Sequence, residues 1–302
     1  MPFNLIVILG PTASGKTKVG VEVARTLDGE MISADSRQVY RGMDIGTGKD
    51  LEEYGAVPYH LIDIVDLGYE FNIFEFQRRF FEAFRMVQER HRVPILVGGT
   101  GMYLDAVLRA YRLLEVPENP KLRQELAFLS LEDLVARLKG ANPKLHNTTD
   151  LLDRERLIRA IEITEFKGGE ESPPPSFPEL QPAVFGVQWE RKVLRQRITQ
   201  RLRERMDKGM IEEVRHLLRQ GVSYKTLEFY GLEYRFVAKY LQGELNRNDM
   251  FQKLNSAIHQ FAKRQETWFH RMERQGIVIH WVAGDQNPAG AILQKIKEWG
   301  LP

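Results

Sequence analysis

Near the N-terminus, apolar residues fall in short unbroken runs. Leu5-Ile-Val-Ile-Leu9 has no polar interruption and ends at Gly10-Pro11. A run this short, closed by turn residues, predicts a strand buried on both faces, as in a parallel sheet. Lys16 to Leu27 switches to helical spacing and stops near Asp28-Gly29. Met31–Ala34, Leu61–Val65 and Pro94–Val97 repeat the strand pattern, whereas the Gly-containing stretch 41–58 reads mostly as loop. Asn72 to Arg90 is amphipathic, with Asn72 and Glu75 at capping-box spacing. After Pro94–Val97, Gly98-Gly99 turns the chain into a helix from about Met102. Repeated alternation of strand and helix predicts a parallel sheet with right-handed crossovers.

Beyond Tyr111 the alternation stops. Residues 113–150 read as short helices joined by polar turns, followed by a helix over 154–167 and a surface loop at Ser172-Pro-Pro-Pro175. Val184–Val187 resumes a strand pattern. Helices over about 190–207, 210–219 and 248–274 fill most of the remainder, and Ile277–Val282 supplies a last strand. The expected organisation is one α/β core, residues 1–112 and 166–302, interrupted by a helical insertion at 113–165.

Composition changes this picture little. With 302 residues, 43% of them hydrophobic and 28% charged, the chain can bury a substantial core and is not mostly disordered. The absence of Cys excludes a disulfide scaffold, a thiolate zinc site and a Cys nucleophile. It is compatible with a reducing compartment, and a cytoplasmic location is expected. Leu5–Leu9 is too short to span a bilayer and lacks a basic leader, so neither a membrane segment nor a signal peptide is expected. The net charge of +2 points to no partner. Its distribution is less neutral: residues 1–150 carry 18 Lys and Arg against 21 Asp and Glu, and residues 151–302 carry 25 against 20. A basic second half hints at a polyanion.

The strongest chemical signal is Gly10-Pro-Thr-Ala-Ser-Gly15-Lys16-Thr17, which fits G-x-x-x-x-G-K-[ST] between a predicted strand and a predicted helix. Glycines let the backbone wrap a phosphate with its amide hydrogens inward, and the helix that follows offers free N–H groups and a partial positive charge. Lys16 adds a cation, and the Thr17 hydroxyl can ligate magnesium. The pattern places the core among P-loop NTPase-like folds, the nucleotide-binding and ATP-binding class. The loop itself specifies phosphate or pyrophosphate, not ATP. Asp35 stands just past a strand, at the sheet edge where open α/β folds bind ligands. It reads as a magnesium ligand, as a base that accepts a proton from a nucleophile, or as the cap of the next turn. Gly98-Gly99-Thr100-Gly101 is a third strand-end loop: Thr100 offers a hydroxyl to a phosphate or leaving group, or the turn is structural. His60 and Asp63 read as satisfied structural groups and stay outside the site.

In the basic half, Leu194, Ile198, Leu202 and Met206 form a stripe ringed by Arg191, Lys192, Arg195, Arg197, Arg201, Arg203 and Arg205. Such a face is either solvated or a contact for a phosphate backbone. Arg154, Arg156 and Arg159 form a smaller cluster. Lys263 and Arg264 lie just off the core-facing stripe of helix 248–274.

GPTASGKT at 10–17, ADSRQVYRGMDIGT at 34–47, HLID at 60–63, LVGGTGMY at 96–103 and AKRQETWF at 262–269 occur in this order. Together they resemble the tRNA dimethylallyltransferase (tRNA isopentenyltransferase) family over nearly the whole chain. The resemblance implies transfer of a dimethylallyl group from dimethylallyl diphosphate to the exocyclic amine of the adenine beside the anticodon, tRNA position 37. In its terms Asp35 and Thr100 are catalytic. Gly10, Thr12, Ala13, Ser14, Gly15, Lys16 and Thr17 hold the diphosphate, with magnesium on Thr17. Asp35, Ser36, Arg37, Gln38, Arg123, Arg156, Arg159, Lys263, Arg264 and Gln265 contact tRNA, and the insertion grips the anticodon arm. A monomer is expected. Two departures stand out: Glu155 replaces the family's Gln, and Phe229-Tyr-Gly231-Leu232-Glu233-Tyr-Arg235 replaces its Ile-Gly-Tyr segment. An enzyme prenylating free adenine nucleotides would share the loop and Asp35, and a small-molecule P-loop kinase would share the loop alone.

Overall fold

The computed structural model describes residues 3–111, 113, 116–141, 153–166 and 177–300. The proline turn at 172–175 lies outside them. The chain divides into two compact units, Met1–Tyr111 with Phe177–Pro302, and Arg112–Ser176.

The larger unit is built on six strands: β1 Leu5–Leu9, β2 Gly29–Ala34, β3 Tyr59–His60, β4 Val93–Gly98, β5 Pro182–Gln188 and β6 His280–Ala283. All neighbours pair in parallel, in the order β3-β2-β4-β1-β5-β6. β1 is fully buried because its side chains serve two cores in alternation. Leu5, Val7 and Leu9 join a cluster with Phe76, Phe80 and Phe84. Ile6 and Ile8 join another with Val19, Val23 and Ile292.

Helix α1 (Lys16–Thr26) covers the second cluster, and α2 (Ile73–Glu89) covers the first. Asn72 caps α2 by accepting the Glu75 N–H at 3.0 Å. After α3 (Gly101–Leu108), the smaller unit holds α4 (Pro120–Ala127), α5 (Leu131–Ala141) and α6 (Arg154–Glu165) around its own core of Leu126, Leu134, Leu138, Leu157, Ile158 and Ile161. The chain returns through β5 to α7 (Arg191–Asp207), α8 (Met210–Arg219), α9 (Tyr224–Phe229), α10 (Leu232–Leu241), α11 (Arg247–Arg274) and α12 (Pro288–Glu298).

The strand expected at Leu61–Val65 is not formed. The β2–β3 pairing ends at His60, Val65 makes only an isolated bridge to Tyr40, and Leu61 and Asp63 take positive φ values of 63° and 54°, which break an extended run. The turn aims Asp63 at Lys49 instead. The last strand begins at His280 rather than Ile277, because Gly276 takes a left-handed φ of 95° after α11 and β6 pairs with β5 from His280 onward. Helices α9, α10 and α12 have no counterpart in the sequence reading.

Candidate diphosphate and acceptor site

Three strand ends meet at one edge. Leu9 of β1 and Ala34 of β2 both register with Gly98 of β4. The loops after them therefore converge: the phosphate loop, the Asp35 turn and the Thr100 turn. Gly98 is required here, since a Cβ would lie 2.3 Å from the Ala34 carbonyl oxygen. The chain order reverses across the β1–β4 boundary, the usual ligand crevice of an open α/β sheet.

The phosphate loop wraps back on itself. Ala13 has φ 63° and Gly15 has φ 84°, both left-handed. Gly15 caps α1 without a side-chain hydrogen bond, and no acidic residue occupies the first turn. The helix terminus thus keeps amide hydrogens and a partial positive charge for an anion. Lys16 Nζ donates to the Pro11 carbonyl at 3.3 Å. Burial, then the Arg201 charge, bring its pKa down to about 8, although Asp35 pulls the other way.

Asp35 does what a turn cap does and retains an oxygen. Its Oδ1 accepts the Arg37 N–H at 2.8 Å and the Gln38 N–H at 3.4 Å. Oδ2 has no hydrogen-bond partner among the described residues. Thr100 Oγ1 accepts the Ser36 N–H at 3.2 Å, which ties the β4 loop to this turn and leaves the hydroxyl hydrogen to donate elsewhere.

Two of the expected tRNA contacts are struts in this structure. Gln38 is buried, with Oε1 accepting from Ser33 Oγ at 3.0 Å and Nε2 donating to the Gly48 carbonyl at 3.1 Å. Gln265 bridges two loops: Oε1 accepts the Thr12 N–H and Nε2 donates to the Gly99 carbonyl, each at 2.8 Å. Arg37 lies 5.0 Å from the exposed Phe229 ring, a cation–π contact. Lys263 and Arg264 are exposed on α11.

The basic helix α7 supplies groups that its sequence pattern did not single out. Arg197 donates to the Ala13 carbonyl at 2.9 Å and stacks 4.1 Å from Trp189, whose Nε1 donates to the Ser14 carbonyl at 2.8 Å. One turn on, Arg201 pairs with Asp50 at 2.7 Å. One turn further, the buried Arg205 pairs with Glu233 at 3.1 Å and donates to the Gly46 carbonyl at 3.3 Å. Burial lowers the pKa of Arg205 and raises that of Glu233. Arg197, Arg201 and Arg205 recur every four residues on one face, a spacing that was visible in sequence without its direction.

These contacts brace the segment 44–50 that follows the Asp35 turn. Glu213 accepts the backbone N–H groups of Asp44, Ile45 and Gly46 at 2.9, 2.6 and 3.0 Å, together with the Tyr234 hydroxyl at 2.6 Å. Lys49 is fully buried and donates to the Tyr40 carbonyl, Asp44 and Asp63. His60 is satisfied by Glu30 at 2.7 Å. In the departing segment, Gly231 precedes α10 and Glu233 faces Arg205, while the exposed Arg235 donates to the Glu228 carbonyl at 3.4 Å.

In the smaller unit, the buried Glu162 takes four hydrogen bonds. Two come from Arg123 at 2.8 and 3.0 Å, one from Arg159 at 3.1 Å and one from the Asn119 N–H at 2.9 Å. Burial alone would raise its pKa, but the arginine hydrogen bonds prevail and hold it at about 2. Arg154 instead caps α4 through the carbonyls of Leu126, Ala127 and Leu129. Glu155 and Arg156 are exposed.

A parallel sheet whose first strand feeds a phosphate loop, with a carboxylate and a hydroxyl on the neighbouring strand ends, defines an α/β protein of the P-loop class. The comparisons narrow that class. The model described as IPP transferase matches residues 38–272, and the one described as isopentenyl transferase matches residues 3–54. The tRNA dimethylallyltransferase 1 of Geotalea uraniireducens is 69% identical over 288 residues, 95% of each chain. The tRNA dimethylallyltransferase 2 of Syntrophotalea carbinolica is 64% identical, covering 97% of this chain and 99% of that one. The solved tRNA isopentenylpyrophosphate transferase of Bacillus halodurans superposes with a TM-score of 0.71 at 34% identity, covering 98% of this chain and 95% of that one. This chain belongs to the IPP transferase family.

Proposed function

We propose that the protein transfers a dimethylallyl group from dimethylallyl diphosphate to the exocyclic amine of the adenine beside the anticodon of tRNA, releasing diphosphate. The observation that carries this reading is the meeting of the phosphate loop, Asp35 and Thr100 at one sheet edge, in a chain whose relatives are tRNA dimethylallyltransferases. Those relatives do not favour free adenine nucleotides as acceptors, or phosphoryl transfer.

The chemistry follows from the groups present. The amides of residues 15–17 at the start of α1, Lys16 and Arg197 bind the diphosphate, whose negative charge grows as the allylic C–O bond breaks. The amine nitrogen bonds to that carbon, and its proton passes to the free Oδ2 of Asp35. Thr100, its oxygen already accepting from Ser36, donates its hydrogen to a leaving-group oxygen. The adenine leaves its stack to enter the crevice, a displacement that other base-modifying enzymes share.

Magnesium fits the donor set. Among the described residues there is no cluster of three or more His, Asp or Glu able to hold an ion. Magnesium commonly takes one or two protein oxygens plus substrate phosphates, and the Thr17 hydroxyl suits that arrangement, which leaves the free Asp35 oxygen for the amine proton. When bound, the ion neutralises charge on the departing diphosphate.

Ser36, Arg37, Arg123, Arg156, Arg159, Lys263 and Arg264 form the tRNA-facing set of this reading, with the 113–165 insertion on the anticodon arm and Gln38 and Gln265 bracing the site from within. The protein acts as a cytoplasmic monomer. Among the described residues no helix is long and apolar enough to cross a membrane.

The test incubates purified protein with labelled dimethylallyl diphosphate and unmodified tRNA, with AMP as competing acceptor. Prenylated adenine should appear in the tRNA digest and not on AMP. Asp35→Ala should lower kcat by about 10²–10⁴-fold. Absence of transfer to tRNA, or a preference for AMP, overturns the reading.

A further inference from the structure

The seven cations of α7 divide between two faces. Arg197, Arg201 and Arg205 point at the phosphate loop and the 44–50 segment. Arg191, Lys192, Arg195 and Arg203 instead line an open groove of about 930 Å³, whose opposite wall carries Asn255 and His259 of α11. Thr199 of α7 joins the walls, 3.1 Å from Asn255 and 3.4 Å from His259.

We propose that this groove is a contact surface for the phosphate backbone of the RNA substrate, separate from the pocket that holds the diphosphate. The proposal rests on the tRNA-prenylating activity above and extends it. Four features carry it.

The first is uncompensated charge. None of the four groove cations has an ion-pair partner among the described residues, whereas Arg201 and Arg205 are both paired. Among the described residues, Glu190 is the one acidic residue on the groove wall. The second is length. Arg191 to Arg203 spans twelve residues, about 18 Å of helix. That outreaches a single diphosphate and suits a polymer with repeating charge. The third is chemistry. Among the described residues no Phe, Tyr or Trp lines the groove, and its one aromatic ring, His259, is tied to Thr199, so it offers no extended platform for stacking successive bases. Charge and hydrogen-bond donors without such a platform engage phosphates, which give affinity without reading sequence. The fourth is continuity. Asn255, His259 and Lys263 recur every four residues on α11, so the groove wall runs on, one turn and about 6 Å, into the expected RNA-facing residue Lys263.

The test uses the full chain carrying Lys192→Ala, Arg195→Ala and Arg203→Ala. Binding of unmodified tRNA is measured without dimethylallyl diphosphate across a series of KCl concentrations, followed by steady-state kinetics. Each lost contact to single-stranded RNA should lower the slope of log K against log salt by about 0.7, so the triple variant should lose about 2. KM for tRNA should rise roughly tenfold near physiological salt, with kcat and the KM for dimethylallyl diphosphate unchanged. Arg195→Lys, which keeps the charge, should restore most of the slope lost in Arg195→Ala. Should the triple variant fold poorly, Arg203→Glu alone gives the same readout. An unchanged slope overturns the proposal, leaving a solvated helix face. A rise confined to the KM for dimethylallyl diphosphate also overturns it, by assigning the groove to small anions. A wild-type chain that binds tRNA but transfers nothing defeats the proposed reaction, while the salt slope still decides the groove.

Discussion

Lys16 carries its positive charge below a pKa of about 8, well under the usual lysine value, because burial and Arg201 both oppose protonation. The cation is present at neutral pH and is lost as pH rises through that value. KM for dimethylallyl diphosphate should therefore climb above about pH 8, read from a pH profile at saturating tRNA. Bound diphosphate favours the charged form, so binding near pH 8.5 should take up protons, measurable by calorimetry in buffers of different ionisation enthalpy. A flat KM across pH 7–9.5 would remove Lys16 from the diphosphate site. Asp35 shows how one residue serves two ends at once. Oδ1 fixes the turn, which in turn fixes Oδ2 for chemistry.

Among the elements, the segment 44–50 depends most on distant parts of the chain. It has no strand pairing, and its order comes from α7, α8 and α10 through Arg201, Arg205, Glu213 and Tyr234. Glu213→Gln replaces an acceptor oxygen with an amide donor facing other donors. The expected loss is about 1–3 kcal/mol in urea unfolding, with faster amide exchange at residues 44–46. Unchanged exchange there would mean that the brace is dispensable. Sequence periodicity put Arg197, Arg201 and Arg205 on one face of α7 but did not show what that face meets, since spacing decides which residues share a face and not what packs against it.

For the whole molecule, the cores are confined by unit. Leu157 is fully buried in a cluster made solely of residues from the smaller unit. Leu157→Ala should cost about 2–5 kcal/mol in that unit, so KM for tRNA should rise while diphosphate binding by the larger unit persists. Equal loss of both would mean that the two units are energetically one. The near-neutral total charge is also resolved at this scale, because much of the basic surplus is either spent on internal pairs or concentrated on the groove.

Local pattern was sufficient for the parallel α/β core, the phosphate loop and the strand-end positions of Asp35 and Thr100. Short apolar runs, glycine spacing and strand-end position are properties of neighbouring residues, and the physics that reads them is short-ranged. It was not sufficient for Leu61–Val65, whose alternation suited a strand until the buried Lys49 drew Asp63 into a turn. Nor did it identify Gln38 and Gln265 as struts, Arg197 as a phosphate-loop residue, or Glu162 as the partner of Arg123 and Arg159. Each of those roles joins groups that fold together from separate elements. Partners and burial for a charged or amide side chain are set by the tertiary structure, which alone decides whether such a group faces a ligand, water or another part of the same chain.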